Sequence, residues 1–231
     1  MTNAKNRVLV KTCLLLLLVM LSGVTTKAKS SDDAPARDRQ LIAASERGDV
    51  AEVKALLAQG ASIAARDERG RTALLAATHA NQVEAARVLI AAGADVNARD
   101  NIHDSPYLYA GAEGRLEILR LTLAAGADLK STNRFGGTAL IPAAEKGHLE
   151  NVRELLKTKI DVNHVNNYGW TALLEVCLKH RGPVYTEIVR ALLAGGANPN
   201  LADKDGVTPL AHAVSSGDAE IAELLKAAGG L

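Results

Sequence analysis

A short phrase recurs along this chain at a fixed interval, and the recurrence limits the folds that the chain can adopt. The phrase is a hydroxyl residue followed by Ala or Pro and then by an apolar residue. The first four copies are 33 residues apart and the fifth follows after 37: they begin at Thr72, Ser105, Thr138, Thr171 and Thr208. Such a period predicts a stack of small units, because one unit alone cannot bury its apolar face.

The clearest copy of the unit runs from Asn133 to Asn163 and predicts two helices. The hydroxyl of Thr138 can accept a hydrogen bond from a first-turn amide, so it marks the start of the first helix. The small pair Ala143-Ala144 lets two helices approach closely, while Val152 and Leu155 have the spacing of one helix face. Glycines after the second helix and in the turn suit a left-handed backbone, which other residues adopt at a cost.

This pattern of Thr-Pro/Ala-Leu, a small pair, Gly-x-x-Glu and a closing Gly-Ala-Asp-x-Asn resembles the ankyrin repeat. The resemblance covers about residues 38–231. It implies an all-α repeat solenoid of about six stacked helix-turn-helix units, joined by β-hairpin-like loops. The first unit, about 38–70, and the last, about 207–231, are expected to cap the stack. The resemblance further implies a monomeric scaffold that binds a protein and catalyses no reaction.

Three departures from the pattern predict local changes of the backbone. His103 replaces the turn glycine and Lys159 replaces the glycine after a second helix. Each would cost about 1 kcal/mol if the left-handed conformation were kept. The fifth unit carries four extra residues between its helices, so the segment from His180 to Glu187 is predicted to form a loop.

The first 28 residues have the features of a secretory signal peptide. Basic residues precede nine uninterrupted apolar residues from Cys13 to Leu21, and small residues follow up to Ala28. The alternative is a membrane anchor, which needs about 20 apolar residues. We expect cleavage near Ala28, a flexible tether at 29–37, no stable membrane insertion after cleavage, and a periplasmic location for the exported protein.

Charge and cysteine content narrow the classes of function. Residues 1–28 contain four of the 27 basic residues and none of the 26 acidic ones, so the mature net charge is −3. Nucleic-acid binding needs a basic stripe that this balance does not supply. Cys177 would be the one cysteine left after cleavage, at a position equivalent to Ala144. We interpret it as a small buried side chain, the alternative being a reactive thiol.

No recognisable catalytic or metal-binding motif occurs in the sequence. The six histidines are not three or four residues apart, and none has a cysteine at a zinc-like interval. We therefore predict no catalytic residues, no metal site and no cofactor. A hydrolase assembled from Ser, His and Asp of different units is the alternative that the sequence leaves open.

The few aromatic residues indicate where a partner would bind. Phe135 and Tyr168 are 33 residues apart, and Trp170 follows two residues later. In the ankyrin family the turn tips and the exposed side of the first helices line a concave groove that binds partners. Mapped onto this sequence, the candidate partner-binding residues are Arg69, Arg71, His79, Ile102, Asp104, Glu113, Arg134, Phe135, Lys146, Tyr168, Trp170 and Lys179. Tyr107 replaces a core leucine and is expected to be buried.

The same aromatic residues could instead pack along the row and stabilise the turns. Aromatic and arginine side chains on a surface are, however, enriched at binding hot spots. An envelope location suggests three duties for a binding module: assisting an exported enzyme, neutralising a toxin, or docking on an envelope complex. The sequence does not choose among them.

Overall fold

Twelve helices follow one another in the part of the chain that the structure, a computed structural model, describes: residues 34–179 and 181–231. In chain order they are α1 Ala34–Arg47, α2 Val50–Ala58, α3 Ala73–His79, α4 Val83–Ala91, α5 Pro106–Ala112, α6 Leu116–Ala124, α7 Leu140–Glu145, α8 Leu149–Leu156, α9 Ala172–Lys179, α10 Pro183–Ala194, α11 Pro209–Ser215 and α12 Ala219–Ala227. None of these helices has the length and apolar character that crossing a membrane requires.

The predicted signal peptide, residues 1–28, lies outside the described residues, as do residues 29–33 of the predicted tether. Helix α1 begins at Ala34, so the last four residues of the predicted tether are helical rather than flexible. This extension makes α1 14 residues long, whereas the first helices of the later units have six to eight.

The helices form six antiparallel pairs, each of which packs on the next pair. First helices contact first helices in the order α1, α3, α5, α7, α9 and α11, and second helices do the same from α2 to α12. No strand occurs among the described residues. The predicted all-α repeat solenoid is thereby confirmed, with contacts between neighbours supplying the stability of such a stack.

Small side chains keep the first helices close together in the core. Ala143 and Ala144 are fully buried, and a Cβ added at Gly111 would lie 2.8 Å from the Cβ of Ala139. Cys177 is buried as predicted, and burial raises the pKa of its thiol to about 12. Tyr107 is also fully buried, as expected, and the loss of water around its hydroxyl raises the pKa of the phenol.

Four of the five predicted hydroxyl caps are present, and Thr138 is the exception. Thr72, Ser105, Thr171 and Thr208 each accept a hydrogen bond from the amide three residues later, at 3.2 Å. The hydroxyl of Thr138 is buried without a partner among the described residues.

The reason for this exception lies four residues later in the sequence. In the other four units, the amide at that position donates to the carbonyl of the cap residue. In this unit the position is occupied by Pro142, which has no N–H. The Ile141 amide donates to the Thr138 carbonyl instead, at 3.2 Å, and so does not reach the hydroxyl.

The predicted departures have different outcomes. His103 keeps the left-handed backbone, with φ at +67°. Lys159 does not, because α8 ends early at Leu156 and the Thr158 hydroxyl donates to the Leu155 carbonyl. The prediction of a loop from His180 to Glu187 is wrong for most of the segment, since α10 already begins at Pro183. Proline fits the first helical position there because its φ is already helical; His180 lies outside the described residues.

Asparagines of the closing Gly-Ala-x-x-Asn phrase join neighbouring units. The Asn163 side chain donates to the Gly196 carbonyl at 3.3 Å and accepts from the Asn198 amide at 2.8 Å. Asn97 and Asn200 make the corresponding bonds to the units that follow them. Lys130 occupies this position between the third and fourth units.

Candidate functional site

A column of Asp and Asn side chains holds the turns between the units. Each side chain accepts hydrogen bonds from the backbone amides two and four residues later. In the fifth unit, Asn166 Oδ1 accepts from the amides of Tyr168 at 2.9 Å and Trp170 at 3.0 Å. The members of this turn column are Asp67, Asp100, Asn133, Asn166 and Asp203.

Sequence analysis missed the turn column, although it has the same spacing as the hydroxyl caps. Aspartate and asparagine are common in turns because their side chains bond the local backbone. In each turn they hold the backbone of the residues two and four positions later, most of which are candidate partner-binding residues. The turn column is therefore a positioning element of the candidate site.

Three of the turn tips carry exposed apolar side chains on neighbouring units. Ile102, Phe135 and Tyr168 are 48%, 43% and 51% exposed. The rings of Phe135 and Tyr168 are 6.2 Å apart between centroids, and those of Tyr168 and Trp170 are 5.4 Å apart. The structure thus brings the three rings together, and Ile102 lies on the neighbouring turn; we define Ile102, Phe135, Tyr168 and Trp170 as the apolar row.

Charged side chains border the apolar row. The guanidinium of Arg134 lies 4.7 Å from the centroid of the Phe135 ring and pairs with Asp104 at 3.7 Å. Burial, together with the charge of Asp100, raises the pKa of Asp104. Arg69 is exposed at the tip of the first turn.

Arg71 is the predicted site residue that the structure places differently. Its side chain is 9% exposed and pairs with Asp67 at 2.8 Å and with Glu46 at 3.0 Å. Burial alone would lower the pKa of Arg71, but its bonds to the two carboxylates raise it. Arg71 therefore ties the first turn to α1 and offers little surface to a partner.

The candidate residues of the first helices also contact one another. His79 stacks on Tyr109 with ring centroids 3.8 Å apart, and burial, followed by the charge of Arg71, lowers its pKa. Lys146 forms an ion pair with Glu113 of the preceding unit. We refer to the surface made of the turns and these helix ends as the turn face.

A cleft of about 340 Å³ opens in the turn face between the fourth and fifth units. Phe135, Tyr168 and Trp170 line this cleft, and Lys179 lies 4.5 Å from the centroid of the Trp170 indole. The Lys179 ammonium also pairs with Glu175 at 2.9 Å and Glu145 at 3.6 Å. Burial alone would lower the pKa of Lys179, but these carboxylates raise it.

A wider cleft of about 800 Å³ lies at the other end of the turn face, between α1 and the first turn. Its lining includes Arg39, Ile42, Glu46 and Arg69. Sequence analysis did not identify it. Across residues 34–179 and 181–231, no group of three His, Cys, Asp or Glu side chains could hold a metal ion.

Comparisons with known proteins agree with the architecture. A family model described as "Ankyrin repeats (3 copies)" matches residues 5–100 and 107–203, and one described as "Ankyrin repeats (many copies)" matches residues 185–225. The comparison with curated protein sequences finds no match.

Two solved structures are similar over most of the chain. The crystal structure of an ankyrin repeat domain from Acinetobacter baumannii is 60% identical, with a TM-score of 0.81, over 83% of this chain and 98% of that one. The crystal structure of EF0377, an ankyrin repeat protein, is 41% identical, with a TM-score of 0.78, over 80% of this chain and 96% of that one.

Proposed function

Because the chain belongs to the ankyrin-repeat family, we propose that it binds a partner protein in the cell envelope through its turn face. Ankyrin repeats are generally protein-interaction modules, and the fold is typically a binding scaffold without catalytic activity. The apolar row carries the proposal: three neighbouring turns each present a large apolar side chain that is more than 40% exposed. Exposed apolar groups of this kind, bordered by charge, are characteristic of interaction sites.

Two features of the apolar row support direct binding over a role in stability alone. The side chains of Ile102, Phe135 and Tyr168 keep about half of their surface exposed, although the rings of Phe135 and Tyr168 contact each other. Their backbone is already held by the turn column and by the bond from the Asn167 amide to the Phe135 carbonyl at 3.0 Å. A surface fixed in this way loses little entropy on binding, which favours affinity.

The envelope location rests on the N-terminal sequence, with its basic start and short apolar run. In that compartment the turn face would assist an exported enzyme, neutralise a toxin, or dock on an envelope complex. Each duty needs the same property, a rigid surface that binds one protein.

Crosslinked pull-downs from envelope extract test the proposal. The wild-type chain should retain an endogenous partner, and the double variant Tyr168→Ala/Trp170→Ala should lose it. Arg47→Ala is a matched control, since Arg47 lies in α1 and pairs with Glu52 away from the apolar row. Turnover of ester, peptide or phosphate substrates that disappears with one Ser, His or Asp substitution would favour the hydrolase alternative and contradict the proposal.

A further inference from the structure

Gly137 leaves an opening in the turn face that the fold does not require. The equivalent positions of the other turns carry the side chains of Arg71, Asp104, Trp170 and Val207. Gly137 does not have the left-handed backbone that favours glycine, and a Cβ added there would find its nearest neighbour, Ile141 Cβ, at 3.5 Å. That distance is an ordinary van der Waals contact, so neither strain nor crowding explains the glycine.

The opening at Gly137 is part of the cleft between the fourth and fifth units. Phe135 of the same turn, Trp170 of the next turn and Ile141 line this cleft together with Gly137. A side chain inserted at the glycine would therefore contact apolar and aromatic groups.

The charged side chains that line the cleft carry an excess of negative charge. Two carboxylates, those of Glu145 and Glu175, face one ammonium, that of Lys179. The Glu175 side chain is 4% exposed, and its Oε2 lies 2.9 Å from this ammonium as an ion pair without hydrogen-bond geometry. Glu145 is 37% exposed and lies 3.6 Å from the same ammonium, which is longer than a hydrogen bond.

We propose that this cleft binds an arginine side chain from an extended segment of the partner protein. The proposal rests on the proposed function and names the chemistry that the turn face recognises. The arginine stem would lie along Phe135 and Trp170 above Gly137, and its guanidinium would donate to Glu145. Arginine fits better than lysine because a planar guanidinium stacks on rings and binds a carboxylate with two parallel bonds. An acidic side chain would meet the two carboxylates and is disfavoured.

A displayed library of random peptides, selected on the mature chain, supplies the test. Peptides selected on the wild type should be enriched in arginine. Enrichment in Asp or Glu, enrichment without arginine, or no enrichment would overturn the proposal. A selected peptide should also change the fluorescence of Trp170, the single tryptophan of the chain, when it binds. Replacing its arginine with citrulline, which has the same shape without the charge, should weaken binding about tenfold.

Two variants test the two parts of the cleft separately. Glu145→Gln should abolish the preference for arginine over citrulline while leaving the shape of the cleft intact. Gly137→Val places at this turn the residue that the sixth unit carries at the equivalent position, and it should block both peptides. If Gly137→Val lowers the melting temperature, the test uses Gly137→Ala instead, whose Cβ makes only ordinary van der Waals contacts. Unchanged selectivity in Glu145→Gln would overturn the proposal.

The failure of this proposal differs from the failure of the proposed function. If capture of the partner depends on Tyr168 and Trp170 but is unchanged in Glu145→Gln and Gly137→Val, the turn face binds its partner without an arginine in the cleft. If the wild type captures no partner and selects no peptides, both proposals fail.

Discussion

The ring of Tyr168 lies 5.4 Å from that of Trp170, between centroids, with 30° between the ring planes. Both residues belong to one turn, and the side chain of Asn166 bonds both of their backbone amides. One polar residue thus positions half of the apolar row. Because Tyr168 is still 51% exposed, the stacked pair leaves apolar surface for a partner.

Replacing Tyr168 and Trp170 with alanine should weaken partner binding by about 2 kcal/mol or more if these residues are hot spots. The reason is the loss of two rigid aromatic side chains, which form one end of the apolar row. Binding is measured by titration of the captured partner, and melting temperature is measured on the same variants.

A purely stabilising role of the two rings gives the opposite pattern. The melting temperature would then fall strongly, while the fraction that stays folded would bind with unchanged affinity. Arg47→Ala should change neither quantity, because exposed ion pairs such as the one between Arg47 and Glu52 contribute little to stability.

Replacing Asn133 with alanine should lower the free energy of unfolding by about 1 to 2 kcal/mol. The Asn133 side chain accepts from the amides of Phe135 at 2.9 Å and Gly137 at 3.0 Å, and both bonds would be lost. Denaturant unfolding measures the change. Asn133→Asp is the matched control, since Asp67, Asp100 and Asp203 make the same bonds in other turns. Equal stability of the two variants would show that the turn column does not hold the turns.

The fold and the apolar row could be predicted from the sequence because both depend on the period. Residues separated by one period occupy equivalent places in neighbouring units, so Phe135 and Tyr168 are neighbours regardless of their side-chain type. Periodicity gives the place of a residue and not its partners. Arg71 is among the candidate partner-binding residues. Its ion pairs with Asp67 and with Glu46, which lies 25 residues earlier, nevertheless keep its side chain buried.

The wrong predictions have local causes that the pattern does not contain. Thr138 has the right residue type for a cap, but Pro142 has no N–H to donate to the Thr138 carbonyl, so the Ile141 amide bonds that carbonyl and not the hydroxyl. The longer link in the fifth unit was interpreted as a loop because it carries four extra residues between the helices. In the structure Gly182 and Pro183 start α10 early. The turn column was missed because the period gives the position of an Asp or Asn side chain but not the backbone amides that it bonds.

Cys177 should resist thiol reagents in the native protein. Its pKa of about 12 leaves roughly one thiol in ten thousand ionised at pH 8, and the side chain is buried as well. Labelling of the mature chain with iodoacetamide should therefore be slow until denaturant is added. Rapid labelling without denaturant would show that the fifth unit opens locally or that the thiol is reactive.

The N-terminus of the native protein tests the predicted export. If residues 1–28 are a cleaved signal peptide, mass spectrometry of protein from the envelope fraction should find a new N-terminus near Lys29. Intact Met1 on a pool in the cytoplasm would contradict both the cleavage and the envelope location.

Replacing Pro142 with alanine should add one hydrogen bond worth about 1 kcal/mol and should therefore raise the free energy of unfolding by at most about 0.6 kcal/mol. The new amide can donate to the Thr138 carbonyl, which frees the Ile141 amide for the buried Thr138 hydroxyl, as in the other four units. The greater flexibility of the unfolded chain offsets about 0.4 to 1 kcal/mol of this gain. The double variant Thr138→Val/Pro142→Ala is the control: without the hydroxyl, the stabilisation that comes from the cap should disappear. Denaturant unfolding of the two variants separates the contribution of the cap from that of the backbone hydrogen bond. If Pro142→Ala were less stable than the wild type, Pro142 would not be the reason why Thr138 lacks its cap bond.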